Sequence, residues 1–269
     1  MSEKELAQLE SERNEHRVLD LSMEIGEILL QSGAEIFRVE DTMRRTCRHF
    51  GVDECSLFVL GNGIFTSWDA HHSRTFAKVR HIPMKGARLD KVVAINQLSR
   101  EISEGKYVNI DDVERRVQEI KSMPALPNWA MYLASAVASS SFCALFGGSI
   151  PDVISAFIAG LLVYIFVLQL GAPHISKMFT NICGGAISTA VCLIAHHMGL
   201  GENLGPMISG AILPLVPGVA FTNGIRDIGD GDYLSGTVRL LDAMWTFLCI
   251  AIGVSLVFGL YQRLGGIML

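Results

Sequence analysis

The sequence predicts a membrane protein in two parts: an N-terminal α+β domain in the cytoplasm, followed by an all-α bundle of five transmembrane helices. Charge is the first reason, because 18 of the 22 Lys and Arg and 21 of the 27 Asp and Glu precede Trp129. Apolar content is the second, because the last 141 residues carry only ten formal charges and contain five apolar runs. Each run is close to the ~20 residues that a membrane-spanning helix needs.

The N-terminal part divides into a polar segment, residues 1–16, and an α+β domain, residues 17–122. Helical periodicity predicts helices over 18–31, 34–50, 88–104 and 110–121, the last beginning after Asn109 as a cap. Three β-like runs lie between 52 and 82, and Gly61-Asn62-Gly63 is typical of a hairpin turn. The mild acidity of this part argues against nucleic acid, which would require a basic face.

A proline-rich linker, residues 123–128, leads to the predicted membrane domain, residues 129–269. The expected spans are 129–147, 152–170, 178–198, 204–222 and 238–261. Their second and fourth connections hold Lys177, Arg226 and Arg239, whereas the first and third hold no Lys or Arg. Because positive residues accumulate on the cytoplasmic side, we expect the N-terminus inside and the C-terminus outside.

The fourth apolar run contains residues that interrupt a helix: Pro214, Pro217 and Gly218. A proline inside a helix removes a backbone hydrogen bond and clashes with the preceding turn. In lipid, the freed backbone groups are tolerated only inside protein or beside a water-filled cavity, where they can bind a polar solute. The sequence therefore predicts a broken fourth span, and a kink filled by neighbouring side chains remains the alternative.

Three blocks resemble the threonine/serine exporter family: LLQSGAEIFRVEDTMRRTCRHFG, LPNWAMYLASAVASSSFCALFGG and LPLVPGVAFTNGIRDIGDGDYLSGTVRL. The similarity extends over about 18–260, and is greatest to the shorter members, the larger subunit of a two-subunit exporter implicated in succinate efflux. It implies a multi-pass protein of the bacterial inner membrane with a cytoplasmic N-terminal domain. Long members fuse a second membrane half, which implies here a small partner subunit or a homo-oligomer.

Candidate residues follow from these blocks and from polar positions within the apolar runs. Arg226 is the expected carboxylate-binding group, since guanidinium pairs with carboxylate through two hydrogen bonds. Asp242 lies three residues after Arg239, so an interfacial ion pair is the alternative to a transport role. Substrate-binding or gating candidates are Asn181, Pro214, Pro217, Gly218, Asn223, Arg226, Asp227 and Asp242, and N-terminal candidates are Arg38, Glu40 and Asp41. A structural ion pair between Arg38 and Asp41 is the alternative to a sensing role.

We expect no catalytic residue, no metal and no cofactor. Adjacent histidines such as His71-His72 and His196-His197 point apart and lack a third ligand at metal spacing. The sequence contains no G-x-x-x-x-G-K-[ST] motif for ATP. The predicted function is secondary transport that exports a C4-dicarboxylate such as succinate, or threonine and serine. The alternatives are a membrane-tethered enzyme, with chemistry between Asp69 and His81, and a sensor or scaffold that acts through the N-terminal domain.

Overall fold

A computed structural model describes residues 3–53, 55–70, 74–83, 86–171 and 176–264. The chain forms two compact units, Met1–Pro124 with Val219–Leu240, and Ala125–Gly218 with Leu241–Leu269. In chain order the elements are α1 (Glu3–Gln31), α2 (Ile36–His49), β1 (Cys55–Leu60), β2 (Gly63–Ala70), β3 (Arg74–His81), α3 (Leu89–Ser103), α4 (Ile110–Lys121), α5 (Asn128–Leu145), α6 (Ile150–Phe166), α7 (Lys177–His197), α8 (Leu204–Ile212), α9 (Gly218–Gly229) and α10 (Tyr233–Arg263).

The first unit contains the predicted N-terminal helices and hairpin. Its antiparallel sheet has the order β1-β2-β3, and Leu60 faces Gly63 across the turn that the glycines predict. Helix α4 has the bounds expected from its periodicity, and α1 begins already at Glu3, so the polar N-terminal segment continues the first helix. Large aliphatic side chains fill the interior of this unit, including Met23, Leu29, Met43, Ile64 and Ile95.

The second unit is helical, and its helices approach one another at small residues. A Cβ atom on Gly160 of α6 would lie 2.6 Å from the Ser139 Cβ of α5, and one on Gly185 of α7 would lie 2.5 Å from the Ile250 carbonyl oxygen of α10. Ser135, Ser139, Ala156 and Gly160 of these helices are buried. Lipid provides no hydrophobic drive between helices, so this close backbone approach supplies the van der Waals contact instead.

Three described helices are long and apolar enough to cross a membrane: Ile150–Leu170, Lys177–His197 and Tyr233–Arg263. The first of these includes a π-helical turn, Val167–Gly171, that continues α6. A fourth span results if the interrupted pair Leu204–Leu215 and Gly218–Gly229 is counted as one. The predicted span 129–147 corresponds to α5, which is not among them, so five spans remain a prediction.

The predicted membrane domain includes a segment that packs elsewhere, because Val219–Leu240 belongs to the first compact unit. This segment holds most of α9 and the first turns of α10. Its polar side chains find hydrogen-bond partners in the turn between α1 and α2, as described below. Helix α10 also begins at Tyr233 rather than near 238, because Asp232 Oδ1 accepts a hydrogen bond from the Ser235 N–H at 3.3 Å and caps it.

Candidate functional site

Two backbone carbonyl oxygens in the turn between α1 and α2, those of Gly33 and Ala34, accept hydrogen bonds from side chains far along the chain. Helix α1 ends at Gln31, and Gly33 adopts a φ of +82°, a left-handed conformation that glycine accommodates without strain. Glu35 precedes α2 with extended backbone and makes no capping hydrogen bond with its side chain. The Ile36 N–H, in the first turn of α2, therefore needs a partner from another part of the chain.

Helix α9 supplies partners for this turn from one face. Asn223, Arg226 and Asp227 are three and four residues apart, a spacing that aligns side chains along a helix. The Asn223 Nδ2 donates a hydrogen bond to the Gly33 carbonyl oxygen at 2.6 Å. Arg226 forms an ion pair with Glu35, and Asp227 Oδ1 accepts a hydrogen bond from the Ile36 N–H at 3.2 Å. The predicted residues of this block thus bind the predicted N-terminal block.

Arg239 of α10 also binds this turn, and it completes the attachment of α9 and α10 to the turn between α1 and α2. One guanidinium nitrogen donates to the Ala34 carbonyl oxygen at 2.9 Å, and another forms an ion pair with Asp227 Oδ2 at 3.0 Å. The Arg239 side chain is 5% exposed and that of Asp227 1%, so both charges are removed from water. One further hydrogen bond to each group offsets part of the cost of burying the pair, because Arg239 donates to the Ala34 carbonyl and Asp227 accepts from the Ile36 N–H. Among the described residues, the Arg239 Nη1 and Asp227 Oδ2 atoms make no hydrogen bond beyond their ion pair.

Two glycines allow α9 and α10 to cross closely enough for this pairing. A Cβ atom on Gly236 would lie 2.8 Å from the Gly224 carbonyl oxygen and 2.9 Å from the Ile228 backbone nitrogen. Real Cβ atoms do not approach backbone atoms so closely, so a larger residue would separate the two helices. Gly231, with a φ of +92°, ends α9 and turns the chain toward α10.

A pocket of about 500 Å³ opens beside this attachment within the first unit. Four arginines and two carboxylates line it, together with polar and aromatic side chains. Its residues come from α2, α3, α9 and the turn before α2: Glu35, Phe37, Arg38, Asp41, Thr42, Arg45, Asn96, Ser99, Arg100 and Arg226. We call it the arginine pocket.

The ion pairs of the arginine pocket are unevenly distributed. Glu35 is shared by Arg226 and by Arg38, the latter at 3.4 Å, and Asp41 pairs with Arg45. The predicted pair between Arg38 and Asp41 is therefore wrong, because Arg38 pairs with Glu35 and Asp41 with Arg45. Within the described ranges, the Arg100 guanidinium has no ion-pair partner. The pocket therefore carries more positive than negative charge.

The remaining predicted residues lie away from this pocket. Glu40 accepts a hydrogen bond from the Val59 N–H at 3.1 Å and fastens β1 to α2. Asp242 pairs with Lys177 at 2.5 Å in the second unit. The predicted pair of Asp242 with Arg239 is wrong, because Arg239 turns to Asp227 and the Ala34 carbonyl. Asn181 of α7 is half-buried in the second unit.

The predicted interruption of the fourth apolar run is present. Helix α8 ends at Ile212, a 3₁₀ turn covers Leu213–Leu215 with Pro214 inside it, and Val216 is extended. Pro217 precedes α9, a position where a missing N–H costs nothing. A Cβ atom on Gly218 would meet nothing within 4 Å, so packing does not require glycine there. The proline positions make the break, while substrate contact at these residues remains a prediction.

Sequence reasoning missed Glu35, Arg45, Asn96 and Arg100 as pocket residues. A signal existed for Arg45, because it follows Arg38 by seven residues and Asp41 by four, which places all three on one face of α2. No comparable signal existed for Arg100, whose position depends on how α3 packs against α2.

No group of three or more His, Cys, Asp or Glu in the described ranges is arranged to hold a metal ion. His196 Nδ1 donates to the Gly201 carbonyl oxygen at 2.8 Å, and the His197 ring packs edge-on against Tyr261. Both rings therefore have structural contacts. His71 and His72 lie outside the described residues.

Comparison with known proteins identifies the family. The family model described as "Putative threonine/serine exporter" matches residues 20–261. The "Probable threonine/serine exporter" of Mycobacterium tuberculosis is 22% identical, over 88% of this chain and 45% of its own length. The "Threonine/serine exporter" of Corynebacterium glutamicum is 24% identical, over 89% of this chain and 50% of its own length.

A shorter relative matches almost end to end. The "Probable succinate transporter subunit YjjP" of Escherichia coli is 23% identical, over 88% of this chain and 92% of its own length. The chain thus spans about half the length of the two exporters and nearly all of this subunit. No solved structure matches the chain. Because the family model covers most of the sequence and the structure supplies several apolar helices of spanning length, the chain is a multi-pass membrane protein that belongs to the threonine/serine exporter family.

Proposed function

We propose that this protein is the larger subunit of an exporter in the bacterial inner membrane, which moves a small hydrophilic carboxylate out of the cell by secondary transport. The substrate is a C4-dicarboxylate such as succinate, or the hydroxy amino acids threonine and serine. The observation that carries the proposal is that Arg226, from the block containing the helix break, lines one pocket with Arg38 and Asp41 of the N-terminal block.

Arg226 is suited to attract the carboxylate of such a substrate. Its guanidinium is 59% exposed although it pairs with Glu35, so a competing carboxylate can reach it from solution. A planar guanidinium binds a carboxylate through two parallel hydrogen bonds, which a lysine cannot do. Exchange of Glu35 for a substrate carboxylate at Arg226 would keep the number of ion pairs constant.

The break between α8 and α9 is the proposed point where the membrane part holds the solute. Backbone groups around Pro214 and Pro217 lack a continuous helical hydrogen-bond ladder. At membrane depth such groups are stable only beside protein or water, and they resemble the unwound segments that bind solutes in secondary transporters. Transport by this mechanism needs the interruption, whereas a sensor or scaffold would tolerate its loss.

The proposed orientation places the N-terminus in the cytoplasm. It is supported by the Lys and Arg residues of the predicted connections, since the second and fourth hold Lys177, Arg226 and Arg239, whereas the first and third hold no Lys or Arg. Reporter fusions after Gly148 and Gly201 should show that these positions lie outside the cytoplasm, and fusions after Ala172 and Gly231 should show that those positions lie inside it. The fusion after Gly148 also tests whether α5 crosses the membrane. Opposite readings at any two sites would exclude the five-span arrangement.

A partner that supplies the second membrane half is part of the proposal. Its support is the relative that the chain matches over 92% of that relative's own length, because this relative is named as a transporter subunit. A small membrane subunit is the favoured partner, and a second copy of this chain is the alternative. Expression alone in a strain without exporters or such partners should not raise efflux, and full efflux from the lone chain would exclude a required small subunit.

The transport proposal is tested by efflux of labelled succinate and labelled threonine from preloaded cells, normalised to membrane-inserted protein. The double variant Pro214→Ala with Pro217→Ala restores two amide donors and should insert normally but lose export. Arg226→Ala should weaken export of the acidic substrate, and Arg226→Lys should recover only part of it. Wild-type efflux from the double variant would show that the prolines only bend a packed helix.

A further inference from the structure

The arginine pocket has an unbalanced charge. Arg38, Arg45, Arg100 and Arg226 contribute four positive charges, and Glu35 and Asp41 contribute two negative ones. Glu35 forms ion pairs with two of these arginines, and Asp41 forms one with a third. Arg100 therefore has no ion-pair partner in the described part of the chain. Guanidinium groups that converge on one cavity repel one another unless an anion lies between them. The four arginines exceed the two carboxylates by two positive charges, which is the charge that a dianion would neutralise.

The remaining lining also favours a small polar ligand. Asn96 offers an amide and Ser99 a hydroxyl, and both stand on α3 near Arg100. The volume of about 500 Å³ lies within the ~300–1,000 Å³ typical of small-molecule sites. Phe37 lines the pocket with 66% of its surface exposed, so the pocket also has an apolar side.

We propose that the arginine pocket binds a small dianion, a dicarboxylate or a phosphate monoester, and that Arg100 is a principal binding residue. Carboxylate and phosphate oxygens can both accept two parallel hydrogen bonds from a guanidinium group, so the pocket suits either kind of dianion. A zwitterion such as an amino acid brings no net negative charge, and its ammonium group would lie among four guanidinium groups. The pocket therefore discriminates against it. This inference rests on the proposed function only in that it shares Arg226.

The test is equilibrium binding to the purified full-length chain in detergent, by calorimetry at low ionic strength. The probes are succinate, inorganic phosphate and threonine. We expect succinate, phosphate or both to bind, and threonine to bind at least about ten-fold more weakly. Arg100→Gln should weaken dianion binding about ten-fold or more, because it removes a charge-assisted interaction. Arg100→Lys should recover part of the affinity.

Arg115→Gln is the matched control, because Arg115 is a 71% exposed arginine on α4 that does not line the pocket. It should leave binding unchanged. Succinate binding without phosphate binding would identify a dicarboxylate site, and the reverse a phosphate site. Equal dianion affinity in Arg100→Gln and in the wild type would overturn the inference, as would the absence of dianion binding at millimolar concentration.

Efflux measured with the same variants separates this inference from the proposed function. Dianion binding by a wild-type protein that exports nothing, even with its partner, would refute the transport proposal and leave the site intact. Export by the wild type with no Arg100-dependent binding would refute the site and leave the transport proposal intact. Thermal unfolding of Arg100→Gln should match the wild type, since the exposed, unpaired side chain contributes little to stability.

Discussion

The two units of this chain differ in the size of the side chains that fill their interiors. The first buries large aliphatic side chains such as Leu29, Ile64 and Ile95, whereas the principal buried cluster of the second consists largely of small ones, including Cys143, Ala156, Ala159 and Ala211. In water, burial of large apolar groups supplies the free energy of folding. Between helices in lipid that drive is absent, and small residues permit the close backbone contacts that replace it. The difference in core composition therefore matches the two proposed environments.

Each unit also contains a buried aspartate, and the two are stabilised differently. Asp227 pairs with Arg239 and accepts one backbone hydrogen bond. Asp152, fully buried at the start of α6, has no cationic partner among the described residues and instead accepts five hydrogen bonds from Ser149, Glu202 and Asn203. One negative charge is thus balanced by a cation and the other by oriented N–H and O–H dipoles. The following variants test this comparison by SDS titration of detergent-purified protein.

The largest loss is expected from Arg239→Met, at about 3–5 kcal/mol of unfolding free energy. The substitution leaves the Asp227 carboxylate buried without a cation and removes the hydrogen bond to the Ala34 carbonyl. Adding Asp227→Asn should recover part of the loss, since a neutral amide oxygen can still accept from Ile36. A loss below about 1 kcal/mol would show that the pair is not buried in the folded protein.

Asp152→Asn should cost about 1.5–3 kcal/mol, because one oxygen that accepts hydrogen bonds becomes an NH₂ group facing other donors. The matched control is Glu202→Gln, since only the backbone N–H of Glu202 contacts Asp152 and its side chain is exposed. Equal stability of the two variants would mean that the carboxylate charge contributes nothing at this helix start.

Gly210→Ala should cost about 1–3 kcal/mol through overpacking. Its Cβ atom would lie 2.6 Å from the Ser139 carbonyl oxygen and 2.8 Å from the Cys143 backbone nitrogen. Gly205→Ala is the control on the same helix, where a Cβ atom would meet nothing within 4 Å. Gly205→Ala should be neutral or slightly stabilising, and an equal loss in both variants would argue against small-residue packing in the second unit.

Lys177→Met should have the smallest effect, within about 1 kcal/mol, because its pair with Asp242 is exposed. The Lys177 side chain is 59% exposed, compared with 5% for Arg239. Lys177 and Arg239 thus compare an exposed ion pair of the second unit with a buried ion pair of the first. A loss equal to that of Arg239→Met would show that Lys177 lies in an environment from which water is excluded.

The sequence by itself determined the features that depend on near neighbours along the chain. The bounds of α4, the hairpin at 61–63 and the interruption near Pro214 and Pro217 follow from helical periodicity, glycine conformation and the missing proline N–H, which act within a few residues. Asn109 does precede α4, but its side chain makes no capping hydrogen bond. The apolar runs followed from composition, and the block similarity identified the family. These are local or additive properties, so no tertiary contact was needed to predict them.

Only the tertiary structure decided which charges meet. Arg239 reaches the Ala34 carbonyl across 205 residues of sequence, and Asp227 reaches Ile36 across 191. Spacing along one helix predicted the pairs Arg239 with Asp242 and Arg38 with Asp41, and both were wrong because closer or better-buried partners were available. The arginine pocket likewise needs α3 beside α2. An ion pair is selected by distance and desolvation in the folded chain, and neither quantity is encoded in the local sequence pattern.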